Sequence, residues 1–285
     1  MALLLCWALG GTAVADAVSR GAYLVRAAGC IACHTDAKGG GPVLAGGRAL
    51  KTPFGIFYSP NITPHPKMGI GSWSDGNFLA ALGHGIRPDG SNYFPVFPYP
   101  SYAAMRAEDA LAIKAYLFAQ APVARQNKAH DVAPPFSWRW TVRFWKWLFF
   151  RPGPWRDQAH QDARWNRGGY LVHAVAHCGE CHTPRNFLGA MKSSRFLAGT
   201  RDGPEGGIVA NITPDPKTGI GGWSTADIVQ VMRDGTKPDY DNVQGSMAEA
   251  IRDGLAYLTD DDLNAIAHYL RTVPAIENSL QRQPK

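Results

Sequence analysis

Charge is scarce in this chain. Asp, Glu, Lys and Arg make up 18% of its 285 residues, against about 25% in ordinary globular domains. Apolar runs long enough to cross a bilayer are missing too. Hydrophobic residues reach 45%, which suffices for globular cores but not for a many-span membrane protein. There is no phosphate-binding glycine loop and no Ser/His/Asp arrangement of the triad kind, which argues against nucleotide chemistry and acyl transfer. No alternating strand pattern stands out, so the expected class is mainly α. Cysteine is limited to five residues, whereas Gly (31) and Pro (21) are abundant. That mixture describes a loop-rich fold wrapped around something besides its own side chains.

Four of the cysteines fall in two pairs of identical spacing, each followed by histidine: Cys30-Ile-Ala-Cys33-His34 and Cys178-Gly-Glu-Cys181-His182. Cys-x-x-Cys-His is the attachment pattern of c-type haem. The spacing sets both sulfurs on one helical turn, where they can form thioethers to the two vinyl groups. The adjacent imidazole then faces the iron, so His34 and His182 are the expected proximal ligands. A zinc site of four cysteines would leave both histidines unused, and a thioredoxin-like pair needs a βαβ setting that the sequence does not offer.

The chain repeats itself. Asn61-Ile-Thr-Pro, with Gly69-Ile-Gly-Ser-Trp73-Ser74, recurs 150 residues on as Asn211-Ile-Thr-Pro, with Gly219-Ile-Gly-Gly-Trp223-Ser224. Gly21-Ala-Tyr-Leu-Val matches Gly169-Tyr-Leu-Val, and Ala112 to Leu117 matches Ala265 to Leu270. The expected organisation is a signal peptide over 1–15, a first unit over 17–120, a connector over 121–164, a second unit over 165–275 and a polar tail over 276–285. Each unit reads as a helix before the motif, a Gly/Pro-rich loop, a mid-unit helix capped by Ser74 or Ser224 and a final helix near 107–119 or 260–272. Ser19 reads as the N-cap of the first helix. His173 and His177, four residues apart before the second motif, read as helix-surface residues.

The N-terminal apolar stretch ends at Ala13-Val14-Ala15-Asp16, a small-x-small cleavage pattern, although Lys and Arg are missing from its front. It implies export to the periplasm. The connector differs in character: residues 121–170 hold nine Lys/Arg and three Asp, and 136–155 is crowded with aromatics. Trp with Arg and Lys suits a membrane surface or a docking partner. A strap between the units is the other reading. The positive charge is too local and too aromatic for nucleic acid.

A sixth iron ligand from methionine would close each haem for electron transfer. Met247, in the Gly-rich stretch Gly245-Ser-Met-Ala-Glu, is the natural ligand for the second haem. The first unit has Phe94 or Phe97 at the matching position. Met105 is the nearest candidate there, with His84, another residue or an open iron as alternatives.

These motifs, with Phe97-Pro-Tyr-Pro-Ser-Tyr102, resemble the dihaem cytochrome c partners of periplasmic dehydrogenases. The chain is similar to two of the three haem domains in the cytochrome subunits of membrane-bound alcohol, fructose and gluconate dehydrogenases. The resemblance covers about residues 18–274. It implies two tandem class I cytochrome c domains joined by the aromatic, basic connector, with two covalent haem c groups. It also implies that Pro42 orients His34 through its carbonyl, and that Asn61, Trp73, Asn211 and Trp223 reach the haem propionates. Many of those subunits have Met where this chain has Phe97, and they carry a third domain and a C-terminal membrane helix that find no match here. The function implied is electron transfer, not catalysis, from a dehydrogenase towards an oxidase or a small cytochrome. The competing expectation is a dihaem peroxidase or thiosulfate-type oxidoreductase with an open first haem.

Overall fold

The computed structural model describes residues 6–280. Eleven α-helices run in the order α1 Cys6–Ala27, α2 Cys30–His34, α3 Asp75–His84, α4 Tyr99–Tyr102, α5 Ala107–Phe118, α6 Val142–Phe149, α7 Ala163–Tyr170, α8 Gly179–His182, α9 Thr225–Asp234, α10 Gly245–Asp253 and α11 Asp260–Leu270 among the described residues. None of these is long and apolar enough to cross a membrane. The expected signal segment lies partly outside the described residues. Its remainder is helical and continuous with α1, so Ser19 sits in mid-helix and is not the N-cap expected of it.

A small antiparallel sheet accompanies the helices, where no alternating strand pattern stands out in the sequence. Strands β1 Ala49–Thr52 and β2 Gly55–Tyr58 make a hairpin, and β3 Asp131–Val132 adds to its edge. Ala49 pairs with Tyr58, and Thr52 with Gly55. Four residues per strand are too few to show periodicity, and the third strand arrives from beyond the end of α5.

Each half is built on a crossing of its first and last helices, α1 on α5 and α7 on α11. Glycine sets both crossings. A Cβ on Gly21 would lie 1.9 Å from the Ala112 carbonyl oxygen, and one on Gly168 would lie 2.0 Å from that of Ala265. The structural counterpart of Gly21 is therefore Gly168, not Gly169. The second half also has one more residue between Val172 and Cys178 than the first has between Val25 and Cys30. A π-helical turn over Leu171–Val175 absorbs it, as such turns do for single insertions.

The mid-unit helices start on matched capping boxes, Ser74 with Asn77 and Ser224 with Asp227, each satisfying two amides that the helix leaves open. One continuous apolar cluster runs through both halves, from Leu24 and Ile113 to Leu171 and Ile266. The halves are further joined by reciprocal pairs: Tyr23 to Asp262, and Tyr170 to Asp109.

Two segments outside the final helices pack back onto the halves. Residues 123–127 dock on the first half, and Ile276 and Asn278 dock on the second in the same manner. Between them, α6 lies across both halves. Lys146 bonds to the carbonyls of His84 and Gly85, while Trp145 bonds to that of Leu188.

Candidate haem centres

Both motifs fold as single helical turns, α2 and α8 with its preceding Cys178. Gly29, at φ 65°, ends α1 and turns the chain into the first motif, a conformation that costs glycine nothing. The four cysteines and His34 are half-buried as residues, and His182 is nearly closed off. Burial pushes the thiols of Cys30 and Cys178 up to about 12 and that of Cys181 up to about 11.

The imidazoles are held identically. His34 Nδ1 lies 2.7 Å from the Pro60 carbonyl oxygen, and His182 Nδ1 lies 2.8 Å from that of Ala210. A carbonyl can only accept, so each Nδ1 carries the proton and each Nε2 keeps a lone pair for a metal. Burial pushes both pKa values down, against the pull of the carbonyl, which keeps the rings neutral. Two thiols and one neutral, oriented imidazole per turn fit a c-type haem. Among the described residues, no three His, Cys, Asp or Glu side chains converge as a metal cluster.

The orienting carbonyl corrects the expectation for Pro42, whose oxygen accepts from the Ala45 amide instead. Pro60 and Ala210 were legible only as the residues preceding the repeated Asn-Ile-Thr-Pro. What brings them under the histidines is a close chain crossing. Gly46 and Gly199 donate to the carbonyls of His34 and His182, both at 2.7 Å. At φ 70° and 76° they pass so near residues 60–61 and 210–211 that a Cβ would meet backbone within 2.7 Å. Leu44 and Leu197, both buried, take φ 62° and 64° at matching places. Such backbone is unusual for a branched residue.

The repeated asparagines are buried and fully engaged. Asn61 Oδ1 accepts from the amide and hydroxyl of Thr63, and its Nδ2 donates to the carbonyls of Val123 and Arg125. Asn211 does the same with Thr213, Ile276 and Thr218. All hydrogen-bonding positions of each amide are thus used within the protein, pinning the segment that follows the last helix of each half. Trp73 and Trp223 are half-buried against the core, and among the described residues neither indole N–H has a protein acceptor.

Of the methionines, Met105 is buried, two residues before α5, where the second half has buried Leu258. Met247 is half-buried in the first turn of α10, not in a loop. Gly245, at φ 62°, breaks the chain just before it, and Ala248-Glu249-Ala250 then favour helix. Phe97 packs among Tyr93, Tyr99 and Tyr102.

The two motifs are neighbours. His177, which precedes Cys178, places its Nε2 3.3 Å from the carbonyl oxygen of Ala28, two residues before Cys30. Tyr102 donates to the same oxygen at 2.7 Å and meets the His177 ring edge-on. His173 bonds the Tyr269 hydroxyl at 2.7 Å and stacks on Phe196. Neither histidine is the helix-surface residue expected: His173 lies within the π turn, and His177 follows it at φ 40°. Arg48 bonds the Ala32 carbonyl inside the first motif and forms a two-pronged pair with Glu249 of α10. Arg185 bonds the Glu180 carbonyl inside the second, and Ser101 of α4 bonds the Glu180 carboxylate at 2.6 Å. Each motif is thereby braced by a helix of the other half.

No protein-family model matches the chain. Among individual proteins, it is 44% identical over 263 residues to a dihaem c-type cytochrome of Cereibacter sphaeroides, covering 91% of this chain and 86% of that one. It is 45% identical over 267 residues to the fructose dehydrogenase cytochrome subunit of Gluconobacter japonicus, covering 93% of this chain and 54% of the relative. It is 40% identical over 292 residues to the cytochrome c subunit of a quinone-type alcohol dehydrogenase of Gluconacetobacter polyoxogenes, covering 95% and 60%. The chain thus spans little more than half the length of these two dehydrogenase subunits. Doubled motifs, matched imidazole anchors and this level of identity lead to one conclusion: the chain belongs to the dihaem c-type cytochromes, electron carriers with two covalently attached haem c groups.

Proposed function

We propose that this cytochrome relays electrons in the periplasm from a dehydrogenase towards an oxidase or a small soluble cytochrome. Its halves act as two class I cytochrome c domains, 17–120 and 165–275, linked by the aromatic, basic segment 121–164. Residues 1–15 serve as an export signal. His34 with Met105, and His182 with Met247, would hold the two irons. The indole N–H groups of Trp73 and Trp223 would hold the propionates, with Asn61 and Asn211 fixing the neighbouring loops. Segment 136–155 meets a membrane surface.

Haem c supplies a one-electron couple at its iron. The protein's part is to fix the ligands, exclude water and set the spacing between the two centres. The observation that carries the relay reading is the hydrogen bond from the second motif's threshold to the first, His177 to the Ala28 carbonyl. It places the two attachment sites side by side, so an electron entering one need not leave the protein to reach the other. A dehydrogenase donor is supported by the relatives that are cytochrome subunits of fructose and alcohol dehydrogenases.

The test is reduction by a donor. Oxidised holoprotein is mixed with the catalytic subunit of a fructose, alcohol or gluconate dehydrogenase and its substrate. Substrate-dependent reduction of both haems supports the proposal. Failure with every dehydrogenase, while dithionite reduces both haems, rejects the dehydrogenase as donor.

A further inference from the structure

The connector has a face that the haem chemistry does not use. Helix α6 is fastened from inside. Lys146 Nζ donates to the carbonyls of His84 and Gly85 and to Asn92 Oδ1, at 2.6–2.9 Å. Trp145 Nε1 donates to the Leu188 carbonyl at 2.9 Å, and Val142 and Phe150 are buried. What remains points outward. Trp140, Phe144, Trp147 and Leu148 share one side of the helix by their spacing, and Trp147 is 75% exposed. Trp138 stacks on Trp140 with centroids 5.9 Å apart, and Trp140 meets Phe144 edge-on at 6.0 Å. Phe136, also exposed, extends the surface through its contact with Phe54. A soluble protein scatters exposed apolar residues singly and rarely gathers them this densely.

Charge identifies the occupant. Residues 136–155 contain Arg139, Arg143, Lys146 and Arg151 and no acidic residue; Lys146 and Arg139 turn inward, Arg139 to the Asn92 carbonyl, which leaves Arg143 and Arg151 exposed beside the aromatic face. Residues 171–285 hold eleven Lys/Arg and fourteen Asp/Glu, so the second half carries none of the excess positive charge seen here. At eight residues, α6 is only about 12 Å long, too short to cross a bilayer core of about 30 Å. A rigid row of Trp and Phe flanked by Arg matches the headgroup region of an anionic membrane, where indole rings sit between water and acyl chains.

We propose that the outward face of α6, with the turn before it, docks on anionic lipid with the helix axis parallel to the bilayer. This refines the membrane contact proposed above by naming the face and the lipid charge, and it does not depend on which protein donates electrons. Because Trp145 and Lys146 anchor the helix to both halves, docking holds both haem centres at the membrane surface, within reach of partners that reside there.

Flotation of the purified holoprotein tests this, with haem absorbance reporting the bound fraction. The protein should float with mixed phosphatidylcholine–phosphatidylglycerol vesicles at low salt, and much less with phosphatidylcholine alone or at high salt. The Phe144→Ser/Trp147→Ser variant should keep its haem spectrum and bind about tenfold more weakly or worse, because two rings no longer leave water. Arg143→Gln should weaken the preference for anionic vesicles about fivefold. If the wild type stays unbound with anionic vesicles at low salt, the proposal is overturned. If the double variant floats as well as the wild type, it is also overturned, and the aromatic face belongs to a protein contact. Reduction by a dehydrogenase in solution survives either result, so the two proposals fail separately.

Discussion

Tyr170 donates its hydroxyl to Asp109 at 2.5 Å across the two halves. Asp109 is fully buried, with Arg20 as its other partner. Tyr23 returns the arrangement to Asp262, which also receives two bonds of 2.7 Å from Arg167. Burial alone would raise the Asp262 carboxyl, but the bonds from Arg167 and Tyr23 outweigh it and hold its pKa below the usual value. Tyr170→Phe should lower unfolding stability by about 1–3 kcal/mol, the cost of stripping a hydrogen bond from a buried carboxylate. Tyr23→Phe should cost less, because Asp262 keeps both Arg167 bonds. Urea titrations of the two variants measure the difference, and an unchanged midpoint for Tyr170→Phe would contradict it.

The glycine at each helix crossing admits no side chain. Gly168→Ala should destabilise by about 1–3 kcal/mol through overpacking of α7 on α11, with both haems still attached. Gly83, where a Cβ would meet nothing within 4 Å, is the control. Gly83→Ala should be neutral or slightly stabilising in thermal unfolding, as expected at an open helical glycine.

Acid should weaken the fold through His173. Burial pushes its pKa down to about 4, below the unfolded value of about 6.5. The folded state therefore resists the proton that the unfolded state accepts. The contribution is intact above about pH 6.5 and falls away towards pH 4, by about 3 kcal/mol in all. His173→Phe should flatten the stability profile in that window. A wild-type profile with no slope there would exclude the effect.

The methionine ligands are separable by spectroscopy. Met247→Ala and Met105→Ala should each remove half of the near-infrared charge-transfer band of methionine-bound ferric haem, and each should open one haem to carbon monoxide. The wild type should bind none. An undiminished band in Met105→Ala would take that residue out of the iron's ligand set.

The sequence disclosed what repeats. The doubled motif, the capping serines and the final helices appear as fixed spacings, because each depends on local geometry. What it did not disclose depends on distant contacts. The Pro60 and Ala210 carbonyls reach their histidines only through the chain crossing at Gly46 and Gly199. The third strand joins its hairpin from 131–132, over 70 residues away. Met247 looked like a loop residue because Gly245 precedes it, yet the chain turns at that glycine and enters α10. His173 and His177 looked exposed because helical periodicity carries no sign of a π turn, whose cause is a single residue counted between Val172 and Cys178.

Counting haems on the denatured chain tests the two-centre assignment most directly. Intact mass spectrometry after acid extraction should show two haems retained by the wild type. It should show one retained by Cys30→Ala/Cys33→Ala and one by Cys178→Ala/Cys181→Ala. A wild-type chain that releases its haem on extraction, or a double variant that still carries two, would contradict the assignment.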